Sequence, residues 1–353
     1  KRVALVSAFV LGTTLRFWIE SRTVRTDMLL AACLSAALYA FWRWHESRQR
    51  GCLVAFYAAI TGAVYAKGPP GLLFPILLVW TFYWKRRDDR RAAHLFLGIG
   101  AVLVLIGLWF IPAHLAISGE AGGAVRTVFQ RHVVGRVILG VSKAQWPWYY
   151  LVTLPLDLLP WSLFLPWAVP WVWRRRKEDD RMRFLLSWVA PAFVFFSLSI
   201  GKRQMYLLPL YPALAIFLSR SILELADGDR VLWRKRTAYV WAGILFLLAL
   251  APFALLLTPY RGNWVWLLLI PSLCAAVFAA DTFRRALWTD MRWLFPLIWA
   301  HFLAFSLLCV EFVFPIINEF KGAKSFCQPV RQLAEAGVPF RFYSVGFSRE
   351  EYI

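Results

Sequence analysis

Acidic residues are scarce in this chain: 20 Asp and Glu stand against 40 Lys and Arg in 353 residues, a net charge of +20. Histidine and cysteine are scarcer still, at five each. Cys33, Cys52, Cys274 and Cys309 fall in or beside apolar runs, and Cys327 alone lies in a polar segment. No external disulfide framework or thiolate metal cage is therefore expected. Neither a Walker loop nor a dinucleotide-binding glycine fingerprint occurs, which disfavours nucleotide-driven transport and any nucleotide cofactor. No inverted internal repeat of the kind many carriers use is visible.

What the chain has in quantity is apolar sequence, at 60% of residues. Runs long enough to cross about 30 Å of hydrocarbon recur, near 3–19, 27–43, 52–66, 70–84, 92–113, 148–173, 182–199, 204–222, 237–257, 263–281 and 293–314. The pattern predicts an all-α multi-pass membrane protein of about eleven spans, with the shorter runs open to a re-entrant path. Basic charge would suit nucleic acid if it were spread over a polar surface, but 22 of the 40 Lys and Arg sit in five junctions, 43–50, 85–91, 174–183, 220–236 and 283–292. Short basic loops of this kind orient a chain by facing the cytoplasm. No nucleic-acid partner is expected, and the membrane lipids are the surroundings. Walking the spans in alternation puts the four intervening turns, the 114–147 loop and everything after Pro315 on the outer side.

After Phe314 the composition becomes that of a soluble segment, with 325–336 suited to a short helix and 340–345 alternating like a strand. Two domains are expected: a polytopic membrane domain over 1–314 and the opening of an outer α/β domain over 315–353. The chain starts at Lys1 directly before a span and stops inside the soluble segment, and so reads as a piece of a longer protein.

Chemistry, if present, belongs to the outer turns. The first, WIESRTVRTDMLL, carries Arg22, Arg25 and Asp27. Asp27 either caps the following helix or orients a cation or sugar hydroxyl while Arg22 or Arg25 meets an anionic headgroup. The second, YAKGPPGLLFP, sets Lys67 before a helix-breaking run. Lys67 either snorkels to the interface or holds a lipid-borne phosphate beside open backbone. The 114–147 loop is longer than an ordinary connection. Its VFQRHVVGRVILG suits an interfacial helix with His132 and Arg136 on one face, where they bind substrate or simply meet solvent and headgroups. Next, AQWPWYYLVTLPLDLLPWSLFLP, with Tyr149, is an aromatic belt or a sugar-stacking surface. The last turn, SLSIGKRQMYLLPLYPALAI, places Lys202, Arg203 and Tyr206 at the outer ends of two spans. Two cations there run against the orientation rule, a cost that favours a retained anion-binding role.

Taken in order, KGPPG, the loop histidine, PWYYL with LLPWSLFLP, and LLSWVAPAFVFFSLSIGKRQMYLLPLYPAL resemble the membrane glycosyltransferases of the aminoarabinose transferase and protein O-mannosyltransferase superfamily, over roughly residues 20–353. The resemblance implies a GT-C fold in a bacterial inner membrane, its active site facing the periplasm, with a periplasmic α/β domain at the C-terminal end. It implies transfer of a sugar, with inversion, from a polyprenyl-phosphate donor to a lipid, protein or glycan acceptor. Asp27 resembles the family's acidic residue before a span, Lys67 the lysine of its K-G-P turn, and Lys202 and Tyr206 the lysine and tyrosine of its last active-site hairpin. Lys67, Lys202, Arg203 and Arg22 are thus expected to bind the donor phosphate, and His132, Arg136, Tyr149 and Tyr206 to contact substrate. Asp27 plays a supporting part, and the principal catalytic acid is expected upstream of Lys1. A divalent metal ion would fall to His132. Three departures weaken that metal role: Arg131 stands where an acid often precedes the loop histidine, Gln145 lies near the place of a second histidine, and Arg203-Gln204 replaces a frequent Leu-Pro. The rival class, a secondary transporter or lipid flippase, would place its ionisable residues near the midplane.

Overall fold

The computed structural model describes residues 1–23, 25–83, 98–108, 111–112, 145–175, 179–256, 268–315, 328, 331–333 and 335–336. Among them all regular structure is helical. The chain divides into two compact units, Lys1–Asp229 and Arg230–Ile353.

The first unit contains α1 (Arg2–Gly12), α2 (Leu15–Glu20), α3 (Thr26–Ser47), α4 (Arg50–Lys67), α5 (Pro70–Tyr83) and α6 (Gly98–Leu108). After 145 come α7 (Tyr149–Asp157), a 3₁₀ turn (Trp161–Phe164), α8 (Leu165–Arg175), α9 (Asp180–Leu198), a second 3₁₀ segment (Gln204–Leu210) and α10 (Tyr211–Asp227). Helix α3 lies at the centre because Leu30, Leu34, Ala37, Leu38 and Phe41 recur at helical spacing and are buried. Phe41 gathers rings from three other helices, at 5.3 Å from Phe56, 6.3 Å from Phe82 and 6.1 Å from Phe184. In lipid, where apolar burial between helices gains little, close packing of this kind holds the bundle, and each ring pair adds about 0.5–1.5 kcal/mol.

Within the first unit, the described residues of the basic junctions lie at the helix ends opposite the turns singled out above. There Arg2 pairs with Asp227 at 2.9 Å, Arg181 with Glu46 at 3.6 Å, Arg175 with Glu224 at 3.6 Å and Arg220 with Asp179 at 3.1 Å. Asp179 also caps α9, accepting from the Arg181 backbone N–H at 2.8 Å. Burial pushes its carboxyl pKa up, but the Arg181 N–H and the Arg220 guanidinium outweigh that and hold it below the ordinary value. A depressed carboxylate contributes stability above its unfolded pKa, about 4, and loses it as pH falls through the lower folded value. Asp179→Ala should therefore destabilise the protein by about 1 kcal/mol at pH 7, and the gap from wild type should close below about pH 4. Thermal unfolding in detergent at the two pH values checks this.

Two expected spans are broken. Instead of one run over 3–19, α1 ends before Thr13–Thr14 and α2 starts anew, and the run over 148–173 bends by 111° between α7 and the segment beginning at Trp161. Backbone groups freed by a break must find partners when water is excluded, and here the two breaks supply each other. The Leu15 N–H donates to the Leu159 carbonyl at 2.8 Å, and the Trp161 indole N–H donates to Thr13 Oγ1 at 3.0 Å. By length and apolarity, the described helices able to cross a membrane are Asp180–Leu198, Gln204–Asp227, Val231–Phe253 and Leu294–Val313, with a fifth if the bent pair is one span. Arg2–Gly12, Pro70–Tyr83 and Gly98–Leu108 are shorter apolar helices. The multi-pass character stands, while two of the eleven expected runs, 3–19 and 148–173, are broken.

The second unit contains α11 (Val231–Leu256), α12 (Leu269–Trp288), α13 (Leu294–Leu308) and a π turn (Cys309–Val313). Ala238, Ala242 and Ala249 on α11 and Ala275, Ala279 and Ala286 on α12 are buried small residues, the kind that let helix backbones approach closely. His301 is buried, stacked on Phe278 at 4.3 Å, and accepts from the Trp241 indole at 3.4 Å. Of the expected α/β segment, 328, 331–333 and 335 are helical, in keeping with the helix expected over 325–336. The strand expected at 340–345 lies outside the described residues.

Candidate functional site

The KGPPG turn has two glycines with different physical jobs. Gly68 adopts φ +74°, ψ −139°, a region that residues with a Cβ scarcely enter. At Gly71 a Cβ would lie 2.5 Å from the Ala63 carbonyl carbon and the Val64 nitrogen. Together they let the chain reverse tightly at the end of α4, so that Lys67 is its last helical residue and α5 folds back against it. Gly68→Ala should cost about 1–3 kcal/mol through this conformation alone, read as a lowered melting temperature of the purified protein.

Lys67 forms an ion pair with Asp27, whose carboxylate is 6% exposed. Asp27 is not the cap of α3: the N-cap position is Arg25, which makes no side-chain capping bond, and Asp27 lies in the first turn facing α4. The Lys67 ammonium also stands over the Tyr206 ring, 5.1 Å from its centroid. Residues 40 and 139 apart from Lys67 are thus brought to one point, joining three of the turns identified by sequence.

The other cations of these turns divide. Lys202 is buried and donates to the carbonyls of Gln145, at 3.1 Å, and Ser199, and burial lowers its pKa. It ties the segment entering α7 to the 199–203 turn rather than facing out beside Lys67. Arg203 lies next to it, its carbonyl accepting from the Tyr150 hydroxyl at 2.9 Å, while its Nε is buried with no hydrogen-bond partner among the described residues. A buried donor left unpaired is costly, and an anion's oxygen would satisfy it. Arg22 lies over the Trp18 ring at 4.5 Å, and Arg25 reaches Glu20 at 3.6 Å. Tyr149 begins α7 and packs edge-on to Tyr150 at 5.2 Å. Trp146 and Trp148 stack on each other at 5.4 Å and are both exposed.

A second ionic group was not anticipated. Arg16 binds Asp157 at 2.9 Å, Glu20 at 3.4 Å and the Gln204 side-chain carbonyl, and Glu20 and Asp157 are 3% and 5% exposed. Thr23 adds a hydroxyl to Glu20 at 3.3 Å. The available signal was an ionisable residue inside an apolar run, LRFWIE and LVTLPLDLLPW, which in a membrane protein marks a site by default.

His132 and Arg136 lie outside the described residues, as does the 114–147 loop up to 144. Among the described residues, no group of three or more His, Cys, Asp and Glu could hold a metal ion. Asp27 is committed to Lys67, and Glu20 and Asp157 to Arg16, so these donors do not fit a divalent cation. Cys33, Cys52, Cys274 and Cys309 are free thiols. The assembly offers a held ammonium, an aromatic hydroxyl and a buried guanidinium donor at one end of the bundle, a combination suited to neutralising an anion.

Residues 1–112 match the family model described as dolichyl-phosphate-mannose-protein mannosyltransferase. The chain is 27% identical over 291 residues to the undecaprenyl phosphate-alpha-4-amino-4-deoxy-L-arabinose arabinosyl transferase of Enterobacter sp. (strain 638), covering 79% of this chain and 52% of the relative. To the enzyme of the same description from Erwinia tasmaniensis it is 29% identical over 272 residues, covering 73% and 48%. The chain thus spans about half the length of the curated relatives it matches. Its fold is similar to that in the crystal structure of ArnT from Cupriavidus metallidurans bound to undecaprenyl phosphate, with a TM-score of 0.65 at 20% identity, over 88% of this chain and 58% of that one. In sequence and in fold the chain is similar to the GT-C glycosyltransferases of the aminoarabinose transferase type.

Proposed function

We propose that the protein to which this chain belongs transfers a sugar from an undecaprenyl-phosphate-type donor to an acceptor at the periplasmic face of a bacterial inner membrane. The observation that carries the reading is Lys67, held by Asp27 and Tyr206 at a broken helix end. Its support is the likeness to arabinosyl transferases whose names include that lipid phosphate. In the proposed reaction an acceptor nucleophile attacks the anomeric carbon, and the bond to the phosphate oxygen breaks with its electron pair leaving on the phosphate. Lys67 and the Arg203 guanidinium neutralise that charge as it develops, with Arg22 at the rim. Asp27 fixes the ammonium so that no reorganisation is needed at the moment of transfer. The acceptor's proton goes to a carboxylate that we place on a segment preceding Lys1. A divalent cation, where used, belongs with His132 in the 114–147 loop and not with Asp27.

The test is full-length protein in proteoliposomes with an undecaprenyl-phosphate-linked aminoarabinose donor and lipid A. Covalent transfer with release of one undecaprenyl phosphate per sugar is expected. Donor crossing the bilayer without transfer would replace this reading with that of a flippase.

A further inference from the structure

The Arg16 group shares no ion pair with the Asp27, Lys67 and Tyr206 group, and no part of the proposed chemistry uses it. Its position suggests a task. Arg16 lies one residue into α2, just after the first helix break, and Asp157 is the last residue of α7, just before the second. Gln204 opens the 3₁₀ segment that carries Tyr206 two residues later. One guanidinium therefore links both breaks to the hairpin bearing the proposed phosphate ligands. Helix α7 grips that hairpin a second time, because Tyr150, on the same helix as Asp157, donates to the Arg203 carbonyl. The Tyr206 N–H in turn donates to that same carbonyl at 3.1 Å, closing the turn. The hairpin is pinned at residues 203 and 204, immediately before Tyr206 reaches Lys67.

Two buried carboxylates around one cation are an expensive way to hold helices together; apolar side chains of similar volume would serve as well or better. An Arg fork does what an apolar residue cannot, directing donors to Asp157, Glu20 and Gln204 at once in a fixed plane. We propose that Arg16 is a positioning residue: held by Asp157 and Glu20, it sets the placement of the 203–206 hairpin through Gln204, and with it the position of Tyr206 and Arg203 relative to Lys67. This rests on the donor-phosphate reading above. A displacement near 1 Å at a reacting centre costs on the order of 100-fold in rate, so a lost pin should show in catalysis before it shows in folding.

The experiment uses full-length protein in proteoliposomes with the aminoarabinose donor and compares wild type, Arg16→Lys, Gln204→Ala and the double variant. Rates are taken per folded molecule, with folding read from melting temperature. Arg16→Lys keeps the charge but loses the fork, and Gln204→Ala removes the link without touching the ion pairs. Each is expected to lower kcat/KM at least 10-fold with a melting temperature close to wild type. In the Gln204→Ala background, Arg16→Lys is expected to cost less than 3-fold, because the pin is already gone. Single variants with wild-type kcat/KM per folded molecule, or losses that multiply in the double variant, would overturn the positioning role. If Arg16→Lys does not fold, an undiminished rate in Gln204→Ala overturns it alone. A wild-type protein that neither transfers sugar nor binds undecaprenyl phosphate would sink the donor reading itself, a result distinct from an active wild type with indifferent variants.

Discussion

Lys67→Ala will lower the rate of sugar transfer by about 100- to 1,000-fold, the usual cost of removing one preorganised group that meets developing negative charge. The expectation follows from how Lys67 is held. Its ammonium is fixed on one side by the Asp27 carboxylate and on another by the Tyr206 ring, at a helix end whose reversal needs the backbone of Gly68. A lysine that merely snorkelled to the interface would have no buried carboxylate of its own and could be trimmed at little cost. Steady-state kinetics on reconstituted full-length protein separates the two: the fall should lie mainly in kcat, since charge on the phosphate grows toward the transition state. Because Asp27 is left without its partner, the melting temperature must be measured alongside, so that lost folding is not read as lost catalysis.

Arg16→Ala will destabilise the fold by about 3–5 kcal/mol, the cost of stripping the cation from a buried pair and leaving its carboxylates uncompensated. Here Asp157 is left without a cation and Glu20 keeps only its longer contact to Arg25 at 3.6 Å, both carboxylates being nearly inaccessible to water. Removing charge from both sides should be far milder: Arg16→Met combined with Glu20→Gln and Asp157→Leu should recover most of the loss. Thermal or denaturant unfolding in one detergent, run on the two variants side by side, checks the ordering. Equal losses in both would mean that packing around these side chains, and not charge compensation, holds the two helix breaks together.

How much of this could be read from residues alone follows the physics of each element. The grouping of the outer turns was legible because charge placement in a membrane protein is costly and therefore informative. From it came Asp27, Lys67 and Tyr206, three residues from three turns that the fold brings to one point. The direction of the Lys202 side chain is not legible in the sequence, which shows that a lysine ends a span but not which way its flexible stem runs, and here the stem turns inward to two carbonyls. Arg16, Glu20 and Asp157 escape a reading of the sequence because 3–19 and 148–173 have the apolar pattern of continuous spans. Pro160 hints at the second break and Gly12, the last residue of α1, at the first, which tertiary contact with Leu159 and Trp161 then holds. The expected roles of His132 and Arg136 fall in a segment outside the described residues.

The central claim is that the end of the bundle carrying Lys67 binds a lipid phosphate. Titrating undecaprenyl phosphate into full-length wild-type and Lys67→Ala protein, each in lipid nanodiscs and each shown to be folded, tests it most directly. The account predicts saturable binding to wild type and at least tenfold weaker binding to the variant. Equal affinity in the two would contradict it.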